Sequence, residues 1–225
     1  MKIYKYNILK KGFPVYLLIL VLISIIANNT PLAQTPFEGK LIYRVSVVDT
    51  SFTDMIPDRK MTIYTNDTMV RIEIMNDQLG LQTTIRHMAL NKSYMLLDLG
   101  ERKFAIKTDL TNDTTEVRPY VIKHKCKRKK ILGEKTKKAI VFRDDLKAEK
   151  EVYYSTKIRP EILNIYDGIK GLPLEYYLSS ADGLMRYELI SIERMSIHRD
   201  NFGIPSDYKR VTFNEFVDQM KQSDN

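Results

Sequence analysis

YDGIKGLPLEYYLSSADGLMRY, residues 166–187, decides the fold class. Leu174, Tyr176 and Leu178 alternate with Glu175, Tyr177 and Ser179. After Ala181-Asp182-Gly183 a second alternating run begins at Leu184. Period-two alternation on both sides of an Asp-Gly pair predicts two antiparallel strands joined at a tight turn. Gly168 and the corner Gly171-Leu172-Pro173-Leu174 form a stiff entry to the pair.

The same period runs backward through the chain. Leu41, Tyr43, Val45 and Val47 share one face of a predicted strand, with Lys40, Arg44 and Ser46 on the other. Residues 59–65 and 69–75 read as a hairpin turning at Asn66-Asp67-Thr68. Residues 81–88, 92–98 and 102–108 read as three further strands, and 111–115 as a polar loop. Short strands at spacings near ten residues predict an antiparallel meander. Pro160 suits the first turn of a short helix carrying Ile162, Ile165 and Tyr166. Residues 202–208 read as a closing extended segment. Thr212 and Glu215 have capping-box spacing, and Phe213, Phe216, Val217 and Met220 make the apolar stripe of a final helix. The fold class is mainly β (α+β), a curved antiparallel sheet of about ten strands with one or two short helices.

Residues 1–34 read as a secretory signal peptide. Lys2, Lys5, Lys10 and Lys11 precede an apolar run at 15–27, and Ala33 fits a cleavage position. An uncleaved anchor is the alternative and would need roughly 20 apolar residues to span comfortably. The remaining 35–225 is long enough for one domain with its own core. Losing four lysines and no acids takes the net charge from +8 to +4, too mild to argue for nucleic acid. Cys126 is the only cysteine, so an internal disulfide is excluded. An exported chain without disulfides points to a bacterial periplasm or cell surface. Asn66, Asn91 and Asn112 each begin a formal glycosylation sequon and read as turn residues. Asp67-Thr68-Met69 also resembles the Asp-Thr-apolar O-glycosylation acceptor of some Gram-negative periplasms.

No constellation for catalysis emerges. His87, His124 and His198 lack metal-ligand spacing, the serines lack a nucleophile elbow, and no glycine-rich phosphate loop exists. No metal, cofactor or enzymatic activity is expected. Two features remain. Lys125, Lys127, Arg128, Lys129 and Lys130 form a basic patch on a predicted hairpin turning at Leu132-Gly133-Glu134. It reads either as a docking surface for an anionic partner or as a solvated edge that lysines keep from pairing. Cys126, flanked by Lys125 and Lys127, has no evident base or oxyanion site and reads as a strand residue. The second feature is the tyrosine content. Tyr43, Tyr153, Tyr176, Leu178 and Tyr187 fall on strands with Leu172 and Pro173 at their rim. They read either as ordinary core or as the lining of an apolar cavity.

The pattern Gly171-Leu172-Pro173-Leu174, a hairpin, then Phe202-Gly203-Ile204-Pro205-Ser206-Asp207-Tyr208 resembles the DUF4412 and GLPGLI-type families of Gram-negative periplasmic proteins. Ile131-Leu132-Gly133 before Lys137-Lys138-Ala139 is similar to a segment of the same families. These families often carry a cysteine just before that Lys-Lys-Ala, and here the position is Thr136. The resemblance covers about 125–210 and implies a half-barrel similar to the lipoprotein carriers LolA and LolB. It brings no catalytic residues. The expected function is a non-enzymatic periplasmic or envelope protein that binds a lipid or lipoprotein acyl chain on the concave face. The alternative is an envelope interaction module that docks a partner through the basic hairpin or a sheet edge.

Overall fold

In the computed structural model the described residues are 36–48, 57–66, 68–76, 80–108, 119–180 and 183–222. The leader at 1–34, the sequon at Asn112, and Ala181 and Asp182 of the predicted turn lie outside them. Gln34–Asn225 forms one compact unit.

Six strands follow in order: β1 (Gly39–Val47), β2 (Arg59–Thr65), β3 (Met69–Asn76), β4 (Gly80–His87), β5 (Lys92–Asp98) and β6 (Lys103–Thr108). Five more form a second run: β7 (Val121–Ile131), β8 (Glu134–Phe142), β9 (Lys150–Ser155), β10 (Leu172–Ser180) and β11 (Gly183–Arg194). β12 (Lys209–Thr212) and the helix α1 (Phe213–Lys221) close the chain. All twelve strands belong to one open, curved sheet in the order β12-β6-β5-β4-β3-β2-β1-β11-β10-β9-β8-β7. The two meanders therefore meet at a β1–β11 seam, and among the described residues β7 and β12 are the sheet's edges.

Alternation on β1 builds the seam. Leu41, Tyr43 and Val45 are buried, while Ile42, Arg44 and Ser46 keep exposure on the other face. Directly paired residues share a face, so Leu41↔Ile63 and Tyr43↔Met61 continue the apolar face onto β2. Val45↔Tyr187 and Tyr176↔Tyr187 carry it onto β11 and β10. Two glycines permit the close approaches this needs. Gly39, at φ 153, would place a Cβ 2.0 Å from the Glu193 carbonyl, and Gly171 would place one 2.2 Å from that of Ser155.

Each face of the sheet is covered by its own connections. Leu146 of the β8–β9 loop, and Ile158, Ile162, Leu163, Tyr166 and Ile169 of the β9–β10 loop, pack on the aromatic face. Phe216 of α1 meets Phe104 edge-on at 5.3 Å. On the opposite face Ile197 and Phe202, from the β11–β12 connection, pack with Ile85, Leu96 and Ala105. That connection ends in β12, which pairs parallel to β6.

The structure departs from the sequence reading in four places. Among the described residues the sheet has twelve strands rather than about ten. The helix expected at Pro160 is one 3-10 turn, Pro160–Ile162, followed by Asn164 at a left-handed φ of 52. The expected extended segment at 202–208 includes the end of a 3-10 turn, Arg199–Phe202, and the strand falls later, at β12. α1 has the expected capping box at Thr212 and Glu215, but Phe213 lies 61% exposed, outside the stripe. Asn66 serves its turn, its side-chain oxygen accepting from the Thr68 and Met69 backbone at 3.0 and 2.7 Å.

Candidate functional site

The two groups of residues singled out in the sequence have different fates. Tyr43 and Tyr176 are almost wholly buried, at 0% and 1% exposure. Their rings meet edge-on at 5.8 Å, Tyr187 stacks on Tyr176 at 4.6 Å, and Tyr166 adds a second edge contact at 6.4 Å. The Tyr43 hydroxyl donates to the Pro173 carbonyl at 2.8 Å. Burial pushes the Tyr43 and Tyr176 hydroxyls well above the usual phenol range, so both stay neutral. Leu172 is fully buried in the same cluster, and Leu178 packs at its margin with partial exposure. Tyr153 is not part of this group. Register places it on the opposite face with Glu175, because the β9–β10 pairing shifts between Pro173 and Glu175. There its hydroxyl bonds Glu151 at 3.1 Å and its ring lies 3.8 Å beneath the Lys129 ammonium.

The basic hairpin is open. β7 and β8 pair through a two-residue turn, Leu132 at φ 48 and Gly133 at φ 83, both left-handed as a type I′ turn demands. Between Lys125 and Arg128 the register advances three residues on β7 against one on β8. This bulge leaves Cys126 and Lys127 without partners on β8 and re-aims the side chains around them. Thr136, buried, donates to the Lys129 carbonyl at 2.8 Å and pins the strand just past the bulge.

Three lysines of the hairpin, on the face opposite the aromatic core, are neutralised. Lys123 pairs with Glu149 at 2.8 Å, Lys138 with Glu151, and Lys129 with Glu175. Glu175 also takes Arg186 at 2.8 Å, and Arg186 continues to Glu188 at 2.7 Å. Desolvation raises the Glu175 carboxyl, but hydrogen bonds from Lys129 and Arg186 outweigh it and the net displacement is downward. Hydrogen bonds from Lys123 and Lys138 likewise lower Glu149 and Glu151.

A cleft of about 490 Å³ lies beside the bulge, lined by His124, Lys125, Cys126, Arg128, Lys137, Tyr154, Thr156, Gly168 and Lys170. Four of these carry fixed positive charge, and no carboxylate lines it. Among the described residues Lys125, Arg128, Lys137 and Lys170 make no ion pair. The Tyr154 hydroxyl lies 3.1 Å from His124 Nδ1, and burial raises the Tyr154 phenol. Gly168 turns the far wall at φ 95 and faces Ile122 of β7. That wall is anchored by Arg86 on β4, whose guanidinium donates to the carbonyls of Glu161 at 2.9 Å, Ile162, and Leu163 at 3.4 Å. Burial lowers the Arg86 pKa from its ordinary value.

Of the predicted basic patch, Lys125 and Arg128 line the cleft, Lys129 is committed to Glu175, and Lys127 sits in the bulge. Lys129 and Lys130 border a smaller recess of about 240 Å³ with Leu174, Glu175, Glu188 and Leu189. Lys170 and Arg86 escaped the sequence reading, which has Lys137 and Tyr154 as strand residues and not as site residues. Period-two parity would have put Lys137 with Ala139 and Val141, but Lys170 reaches the site only through the β9–β10 loop. No group of His, Cys, Asp and Glu among the described residues could hold a metal ion. No helix among them is long and apolar enough to cross a membrane.

No family model matches the chain, and no curated protein matches it. The fold is similar to that of PNGF-II, in structures solved in the C2 and P21 space groups. Both have a TM-score of 0.53 and 16% identity, over 84% and 83% of this chain. The chain spans about a third of the length of those structures, 33% and 34%. At this identity the likeness extends to the fold alone.

Proposed function

We propose that the chain is a non-enzymatic binding module of the bacterial envelope that docks an acidic, extended segment of a partner protein along β7. One observation carries this reading: among the described residues β7 is a sheet edge, and six of its eight residues from Lys123 to Lys130 are cationic. Such an edge repels a second copy of itself. A strand with acids at alternate positions meets it with complementary charge and adds backbone hydrogen bonds. The leader-like residues 1–34 and the resemblance at 125–210 support the envelope location.

The test uses a synthetic peptide of alternating Glu and Val, with a Lys-Val peptide as control. Reversing Lys125, Lys127, Arg128 and Lys130 to Glu should abolish binding, and raising salt should weaken it in the parent protein. Lys129 is left alone because it neutralises Glu175. Binding that survives the fourfold reversal would overturn the proposal.

A second reading keeps the apolar ligand. Leu178, Leu184 and Tyr187 stay partly exposed at the margin of the aromatic stack, a strip on which an acyl chain could lie. Native mass spectrometry of the protein from its own envelope should then show an added species of lipid mass that organic extraction removes. A clean mass, with heating curves unchanged by added phospholipid, would end this reading.

A further inference from the structure

We infer that the cleft beside the β7 bulge is an oxyanion site for a phosphate-class group, a tetrahedral dianion either free or carried as a monoester. The inference goes beyond the docking reading and does not depend on a protein partner. Four features place it there. Lys125, Arg128, Lys137 and Lys170 line one cleft from three separate segments of the chain. No carboxylate lines the cleft, and none of the four makes an ion pair among the described residues. Three other lysines of the same hairpin do meet acids, Lys123 with Glu149, Lys138 with Glu151 and Lys129 with Glu175, so the unpaired cations gather at the cleft. Like charges gathered in a partly enclosed space repel one another, and a bound anion relieves that repulsion.

Charge number and donor geometry select the ligand class. A single carboxylate answers one cation and leaves three. A dianion with three terminal oxygens can take the Arg128 fork on two of them and ammonium groups on the rest. His124 and Tyr154, joined at 3.1 Å, offer polar atoms on the lining. The cleft, about 490 Å³, is also larger than a bare phosphate needs. It falls within the roughly 300–1,000 Å³ typical of small-molecule sites, so there is room for an ester substituent.

The experiment titrates the full protein with inorganic phosphate, sulfate and phenyl phosphate by calorimetry at constant ionic strength. Saturable binding is expected, weakened about tenfold in Arg128→Gln and again in Lys170→Gln. Lys135→Gln, on the same hairpin but outside the cleft, should leave it unchanged. Near-saturating ligand should raise the melting temperature by about 5 °C or more. Tighter binding of phenyl phosphate supports a monoester ligand, and equal binding of inorganic phosphate supports the free ion. Heat that never saturates, or that falls equally in Lys135→Gln, overturns the site.

Cys126 is exposed, lines the cleft and is the only thiol in the chain, so it serves as a reporter without any substitution. Its reaction with a dianionic aromatic disulfide should outrun that with a neutral one, and phosphate should slow only the former. A rate that phosphate leaves unchanged puts the anion elsewhere and overturns the assignment. Phosphate binding without Glu-Val peptide binding would keep the cleft and sink the docking proposal, and the reverse result would do the opposite.

Discussion

The aromatic stack and the basic cleft are the two concentrations of unusual side chains in this sheet, and they are completed in opposite ways. Tyr43, Tyr166, Tyr176 and Tyr187 find one another, and the Tyr43 hydroxyl finds a carbonyl. The cations of the cleft make no ion pair among the described residues, Lys125 reaching Glu149 only through space, while Lys123, Lys129 and Lys138 of the same hairpin are paired. A group whose partners lie inside the chain contributes stability. A group left without them contributes a surface, and the difference lies in the neighbours rather than in the residue type.

That contrast makes graded predictions. The largest effect is expected at the stack. Tyr176→Ala should cost about 3–5 kcal/mol in urea unfolding, the range for deleting a fully buried aromatic side chain. A cost below about 1 kcal/mol would show that the stack is not core, and would revive a ligand cavity there. Tyr43→Phe should cost less, about 1–2 kcal/mol, because it leaves the buried Pro173 carbonyl without its donor.

Next comes the ion network behind Lys129. The Glu175 carboxyl is held below its ordinary value of 4.5. A depressed folded pKa contributes stability above the unfolded value, and that contribution is lost as pH falls through the folded one. The parent should therefore lose more stability than Glu175→Gln between about pH 7 and about pH 3.5. Identical losses in both proteins would remove Glu175 from the acid response.

The smallest effects belong to the hairpin. Leu132 has a left-handed φ of 48 that disfavours a branched aliphatic side chain. Leu132→Asn should stabilise by about 0.5–1 kcal/mol without touching the cleft. Arg128→Gln should change stability by no more than about 0.5 kcal/mol, since it removes no internal partner. A larger loss from Arg128→Gln would make the cleft structural, and would weaken the contrast on which both proposals rest.

Local order was legible in the sequence because it is local in origin. Period-two alternation marked β1, β2, β3, β6, β10 and β11 to within a few residues, and Thr212 with Glu215 marked the start of α1. β12 was not legible: Lys209–Thr212 is short and carries one buried residue, Val211, and it becomes a strand only by pairing with β6. The basic patch was visible as composition, but its sorting into paired and unpaired cations was not. A bulge that advances three residues against one changes which side chains share a face, and Lys170 arrives from a loop.

The sequence by itself determined that this chain forms a sheet, where most strands begin and end, and that β7 is crowded with positive charge. Tertiary structure decided that the tyrosines close on one another, that Tyr153 turns away from them, and that four cations share a cleft. The physical reason is that alternation acts between neighbouring residues. Burial and charge balance act between groups that only the β1–β11 seam and the β9–β10 loop bring together.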